Sequence, residues 1–202
     1  AMATSLPELL TAVNAIRQGG PNLTAGDLFG SGMFNMVLLA VIDLLHRQQR
    51  VLRLVAKRHA LSAGLAVLLT GLAVFFIGAN LQLQIGWVGV DSLILVALYI
   101  YGIRLINRST GSTEVVPTAH EVAQPTLALW QASVGFLLST VVLVLTTPWL
   151  VRSAIGIAEI SGLSTGFVGA ALVAIVTSLP EATSTIAAVR LGAYDLAVGN
   201  LF

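Results

Sequence analysis

Cysteine is absent from the chain, which excludes disulfides, thiolate metal centres and thiol nucleophiles together. Charge is nearly as scarce. Asp, Glu, Lys and Arg make up 9% of the 202 residues, against about 25% in an ordinary soluble domain. Hydrophobic types supply 56%, and the mean hydropathy is +0.92. Too few polar groups remain to coat a water-soluble globule of this size, so the solvent expected for most of the surface is lipid. A soluble enzyme, a disordered chain and a nucleic-acid binder are excluded. The net charge of +1 offers no attraction for a polyanion.

What is present is a series of long apolar runs. A bilayer core of about 30 Å needs about 20 apolar residues per helix. Five full spans and two partial ones are expected: helix A at 1–17, short at its front end, B at 24–45, C at 60–80, D at 85–106, E at 126–151, F at 162–190, and G from 194. Helix F is long enough that it must be tilted, broken or flanked by a turn outside the membrane. The stretch 46–59 holds five of the ten basic residues, and basic loops stay in the cytoplasm. Setting that loop inside also puts Arg104, Arg108 and Arg190 inside and leaves only Arg17 and Arg152 outside. Residues 107–125, with Thr, Ser, Gly and Pro, read as a flexible cytoplasmic linker. It divides a first repeat, 1–106, from a truncated second, 126–202.

The repeats are visible in the letters. Thr4-Ser5-Leu6-Pro7-Glu8 recurs as Thr177-Ser178-Leu179-Pro180-Glu181, an offset of 173. Holding that offset aligns Arg17 with Arg190, Gly19 with Gly192, and Gly26-Asp27-Leu28-Phe29 with Gly199-Asn200-Leu201-Phe202. Residues 4–29 give 12 identities in 26 positions without a gap. A and F are five crossings apart, an odd number, so the copies run in opposite directions across the membrane. Inverted repeats with interrupted helices at corresponding places mark the substrate site of many secondary transporters.

The repeated motif has a chemistry of its own. Proline lacks an N–H and displaces the carbonyl four residues earlier. Pro7 therefore frees the carbonyl of Ala3 and loosens that of Thr4, and Pro180 does the same at Val176 and Thr177. In lipid a free carbonyl needs a partner, and a dehydrated cation can be one. Thr4 and Ser5 share a helix face with Glu8 by their i,i+4 and i,i+3 spacing. Two such sets, inverted, offer an all-oxygen cage suited to hard cations such as Ca²⁺ and Na⁺. No Cys, and no His in the motifs, argues against Zn²⁺ or Cu⁺. On helix B, Asp27, Ser31 and Asn35 form a polar stripe at i, i+4, i+8. Gly26, Gly30 and Gly32 thin the same region and are expected to let helix A approach.

At these residues the chain resembles the calcium/cation antiporter superfamily, specifically the sodium/calcium exchanger membrane region. That family carries Thr-Ser-x-Pro-Glu followed by Gly-Asn-x-x-Gly-Ser-Asn-x-x-Asn. Here the second segment reads Gly26-Asp27-Leu28-Phe29-Gly30-Ser31-Gly32-Met33-Phe34-Asn35. The resemblance implies an all-α polytopic helix bundle of inverted repeats, about seven helices of a ten-helix antiporter that expels Ca²⁺ against Na⁺ or H⁺ by alternating access. By motif, Glu8 and Glu181 are its bridging Ca²⁺ ligands and Thr4 and Thr177 ligate through carbonyls. Ser5, Ser178, Ser31 and Asn35 complete the Na⁺ or Ca²⁺ sites. Asp27 and Gly32 depart from the family's two asparagines, and Asp27 adds a carboxylate that can shift ion preference or bind a proton. The resemblance also implies that the family's first helix and last two lie outside the chain. No cofactor is expected. The partners are lipid, Ca²⁺ and Na⁺, and the expected location is a bacterial inner membrane.

Other polar residues have plainer readings. Asp43 is expected to pair with Arg47 at the cytoplasmic end of B, Asp91 to be interfacial, and Glu159 and Asp195 to sit in turns. His46, His59 and His120 are loop residues, and Trp87, Trp130 and Trp149 read as interfacial anchors. Rival functions are H⁺-coupled antiport, a non-transporting fragment, and an intramembrane aspartyl protease. The last is suggested by Gly26-Asp27 and Tyr194-Asp195, but their order is unsuitable and both Pro-Glu copies go unexplained.

Overall fold

The computed structural model describes residues 4–45, 51–80, 83–86, 88–110 and 129–201. They are almost wholly helical: α1 (Leu6–Arg17), α2 (Pro21–Leu45), α3 (Val51–Ala79), α4 (Val90–Thr110), α5 (Leu129–Ser161), α6 (Thr165–Val168), α7 (Ala174–Thr177), α8 (Leu179–Arg190) and α9 (Tyr194–Gly199). A π-helical turn, Gly169–Val173, joins α6 to α7. The exception is a small hairpin of β1 (Gln84–Ile85) and β2 (Val88–Gly89), antiparallel, with Ile85 facing Val88. Gly86 at its turn takes φ +68°, a conformation glycine adopts without strain.

Four helices are long and apolar enough to cross a bilayer: Pro21–Leu45, Ala60–Ala79, Val90–Arg108 and Ser133–Ser161. A bent pair, Thr165–Thr177 with Leu179–Arg190, meets at 44° and has the length and composition of a broken span or a re-entrant loop. This is the broken alternative among those open for span F. The fold is all-α and polytopic. Large apolar side chains such as Met33, Val67, Tyr101 and Leu145 are exposed, the reverse of a soluble domain and what a lipid solvent requires.

Several boundaries differ from expectation. Helix D begins at Val90 rather than 85, because the hairpin occupies the residues before it. Helix E runs ten residues past 151, to Ser161. Val151, Ala154 and Ala158 are buried at helical spacing, so the apolar stripe continues through Arg152 and Glu159, both of which point outward. Glu159 is therefore on a helix and not in a turn, and Asp195 is in the first turn of α9. Trp149 lies well inside α5 and not at a span end, whereas Trp130 stands exposed at its start. Of the expected basic loop, residues 51–59 are the opening turns of α3. His46, Arg47, Trp87 and His120 lie outside the described residues; of the linker expected at 107–125, residues 107–110 are instead the last turn of α4, and the rest lie outside the described residues.

The described residues fall into two compact units. One, from 52–119, contains most of α3, the hairpin and α4. Here α3 and α4 meet at Gly102, where a Cβ would stand 2.5 Å from Leu65 Cδ1.

The other unit, from 1–51 and 120–201, holds α1, α2 and α5 to α9. Its apolar centre is made of small and branched side chains: Ala15 and Leu23 against Val151, Ala154, Ala158, Val168 and Val173. Small residues let helix backbones close on one another in a membrane. The tightest approach is α2 on α6 and the π-turn. A Cβ on Gly30 would lie 2.5 Å from the Ala170 carbonyl oxygen, one on Gly169 would lie 2.5 Å from the Leu23 carbonyl oxygen, and one on Gly26 would overlap the Gly166 carbonyl. Gly26 and Gly30 thus admit this segment rather than helix A. Gly32 has nothing within 4 Å of its would-be Cβ and takes no part.

The two motif helices have the same form. α1 and α8 each have 12 residues, each begins after a serine with φ near −86° (Ser5 −86°, ψ 8°; Ser178 −85°, ψ 2°), and each carries proline in its first turn. Each ends at a glycine with positive φ, Gly19 at +76° and Gly192 at +72°. The closing bonds match too: Gly20 N–H donates to the Ala15 carbonyl at 2.8 Å, and Ala193 N–H to Ala188 at 2.9 Å. All these pairs are separated by 173.

Candidate functional site

Pro180 creates the break that opens the site. It has no N–H to give the Val176 carbonyl, so α7 ends at Thr177 and α8 starts at Leu179. Ser178 sits at the corner, its N–H donating to the Ala174 carbonyl and its own carbonyl accepting from Ala182, both at 3.0 Å. Pro7 gives α1 the same start, after Ser5.

The two corners exchange hydrogen bonds. Ser5 Oγ donates to Glu181 Oε1 at 3.1 Å, and Ser178 Oγ donates to Glu8 Oε1 at 3.3 Å. Thr177 Oγ1 donates to Asp27 Oδ1 at 2.9 Å, and Thr4 Oγ1 donates to Asn200 Oδ1 at 3.1 Å. Under the offset of 173 each bond maps onto its partner, so the two motifs clasp each other reciprocally. Glu8, Asp27, Thr177, Ser178 and Glu181 are buried, Asp27 and Ser178 with no exposed surface at all. Ser5 is exposed.

Each glutamate uses one oxygen in this clasp and keeps one free. Glu8 Oε2, Glu181 Oε2 and Asp27 Oδ2 are buried without a partner. A buried carboxylate oxygen with no donor is costly, and a cation between such oxygens removes the cost. The carboxylates of Glu181 and Asp27 both lie within electrostatic reach of Glu8. Among the described residues, no three His, Cys, Asp or Glu side chains gather closely enough to hold a metal. The other oxygens at hand are those of hydroxyls and carbonyls, such as Ser5, Thr4, Thr177 and Ser178.

The helix-B stripe is less concentrated. Ser31 is buried and its hydroxyl donates to the Leu28 carbonyl at 3.1 Å, which leaves its oxygen able to accept or ligate. Asn35 is half-buried with Oδ1 unpartnered. The candidate residues Thr4, Ser5, Glu8, Asp27, Thr177, Ser178 and Glu181 are linked by the paired bonds. Ser31 and Asn35 are not joined to that network by a hydrogen bond.

Sequence reasoning missed Asn200. Its amide nitrogen donates to the Glu181 carbonyl at 3.2 Å, Ser184 Oγ at 2.8 Å and Thr185 Oγ1 at 3.2 Å. The signal was available, since Asn200 aligns with Asp27. Thr11, the counterpart of Ser184, was missed as well. It is 1% exposed with its hydroxyl unpartnered.

The family model described as sodium/calcium exchanger protein matches residues 1–106 and 131–202. The chain is 28% identical over 204 residues to the protein named "Putative antiporter CaxA" of Alkalimonas amylolytica, covering all of this chain and 62% of that one. It is 26% identical over 208 residues to "Inner membrane protein YrbG" of Escherichia coli strain K12, covering 99% of this chain and 61% of that one. The chain thus spans about three-fifths of the length of these relatives. No solved structure matches it significantly. The matched family is one of exchangers and not of enzymes, which removes the aspartyl-protease reading. The clasped inverted motifs and the family match together establish that the chain belongs to the sodium/calcium exchanger protein family.

Proposed function

We propose that the chain carries the ion-binding centre of a secondary active antiporter that exchanges Ca²⁺ for Na⁺ by alternating access. The observation that supports it best is the reciprocal pair of Ser–Glu bonds, which leaves one buried, unpartnered oxygen on each of Glu8 and Glu181. Two carboxylates neutralise one divalent ion, and the surrounding hydroxyls and proline-freed carbonyls supply further hard oxygen ligands. Thr4, Ser5, Thr177 and Ser178 are the remaining members of this cage, with Ser31, Asn35 and Asp27 supplying Na⁺ ligands.

Charge explains why the cycle is an exchange. An empty, ionised pair at membrane depth costs at least about 2.5–3.5 kcal/mol per charge. The site must refill with Na⁺ before it returns, so a leak of Ca²⁺ alone is disfavoured. Inverted repeats, 1–106 and 126–202, joined by a cytoplasmic linker after α4, let the clasp open to either side in turn. The positive-inside pattern supports a cytoplasmic 46–59 segment, and the name of the Escherichia coli relative supports a bacterial inner membrane.

Coupling to H⁺ is the second reading, and Asp27 favours it: a fully buried carboxylate where the second repeat has a neutral amide. Ca²⁺ flux in liposomes containing the full-length protein separates the two. Under Na⁺ coupling, an opposing Na⁺ gradient drives Ca²⁺ uptake with no pH gradient. Uptake driven by a pH gradient without Na⁺ would establish the second reading instead.

A further inference from the structure

The clasp is symmetric in its serines and threonines but not in the layer behind them. In the second repeat that layer is closed: the Asn200 amide nitrogen sits among three oxygens, those of the Glu181 carbonyl, Ser184 and Thr185. The corresponding positions in the first repeat are Asp27 Oδ2, the Glu8 carbonyl, Thr11 and Ala12. An N–H₂ group, which donates, is replaced by a carboxylate oxygen, which accepts. Where Asn200 and Ser184 are bonded to each other at 2.8 Å, Asp27 Oδ2 and Thr11 Oγ1 are both buried and both unpartnered. Asp27 is 0% and Thr11 1% exposed.

The two helices face each other at this level. Thr24 Oγ1 donates to the Ala12 carbonyl at 3.4 Å, one turn from Asp27 on α2 and next to Thr11 on α1. Thr11 also lines a cavity of about 250 Å³ together with Thr177, the residue bonded to Asp27. Pro7, Thr147, Leu150 and Pro180 complete much of its wall.

Asp27 Oδ2 and Thr11 Oγ1 are thus left unbonded where the second repeat joins its amide to a hydroxyl, and a cation satisfies both oxygens. A water molecule would satisfy geometry but leave the enclosed carboxylate charge uncompensated. One monovalent cation cancels it, a proton under the second reading of the function and Na⁺ under the first. A divalent cation would leave an excess of one positive charge.

We infer that Asp27 Oδ2, Thr11 Oγ1 and the Glu8 carbonyl form a Na⁺ site in the first repeat, at the place that the Asn200 amide fills in the second. Water from the adjoining cavity completes the ion's shell. The site uses neither of the free oxygens of Glu8 and Glu181, and it deepens the exchange reading, on which the identity of the ion rests.

The test is equilibrium binding of radiolabelled Na⁺ to the purified full-length protein at one fixed pH. Asp27→Asn keeps the oxygen that accepts from Thr177 and supplies the amide found in the second repeat, so it should bind one fewer Na⁺ per protein than wild type. Thr11→Val removes one ligand at nearly constant volume and should weaken one Na⁺ about tenfold, and it decides the matter alone if Asp27→Asn fails to fold. Equal Na⁺ stoichiometry and affinity in wild type and both variants would overturn the site while leaving the exchange reading in place. Wild-type protein that binds no Na⁺ would overturn both.

Discussion

Ser5 and Glu181 stand 176 residues apart in the chain and are joined by a hydrogen bond of 3.1 Å between their side chains. The reverse bond, Ser178 to Glu8, closes the pair at 3.3 Å. Each motif therefore orients the acid of the other, and neither acid is set by its own helix alone.

The serines should contribute unequally. Ser178 has no exposed surface and Ser5 is exposed, so water can replace the Ser5 hydroxyl more readily. A hydrogen bond to a charged group contributes about 1.5–3 kcal/mol. Ser178→Ala should weaken Ca²⁺ binding about tenfold, and Ser5→Ala by less. Calorimetric titration with Ca²⁺ reads the order directly.

The threonines offer a second asymmetry, this time in stability. Thr177→Val removes the hydroxyl that donates to fully buried Asp27, leaving a carboxylate short of a donor, at a loss of about 2–3 kcal/mol. Thr4→Val removes the donor to the Asn200 amide oxygen, while the amide nitrogen keeps its three acceptors, and should lose about 1 kcal/mol. Thermal unfolding in detergent should rank Thr177→Val below Thr4→Val.

Glycine positions on α2 separate cleanly. Gly30→Ala drives a methyl into the Ala170 backbone at 2.5 Å, an overpacking worth about 1–3 kcal/mol. Gly32→Ala meets nothing within 4 Å and should change stability by less than about 0.5 kcal/mol, or raise it slightly. Melting temperatures of the two variants check this.

Much of the architecture was legible because the offset of 173 is a linear property. The matching helices Leu6–Arg17 and Leu179–Arg190 follow from it, as do the matching glycines that end them. The four long spans, B to E, were legible from the apolar runs. The end of α5 was not, because Arg152 and Glu159 look like a terminus until Val151, Ala154 and Ala158 are seen to be buried on the other face. The short hairpin before α4 left no periodic signal. The partner of Gly26 and Gly30 depended on which helix approaches, which no one-dimensional pattern specifies. Asn200 was visible as an aligned letter, but its three donations depend on how α8 and α9 fold against each other.

The central claim is that Glu8 and Glu181 share one divalent ion, and Glu181→Gln and Glu8→Gln should each abolish Ca²⁺-dependent flux. The most direct measurement is anomalous scattering from crystals of the full-length protein soaked in Sr²⁺, a heavier stand-in for Ca²⁺. The account predicts one strong peak between the two glutamate side chains. A peak elsewhere, or glutamates turned away from each other in the loaded protein, would contradict it.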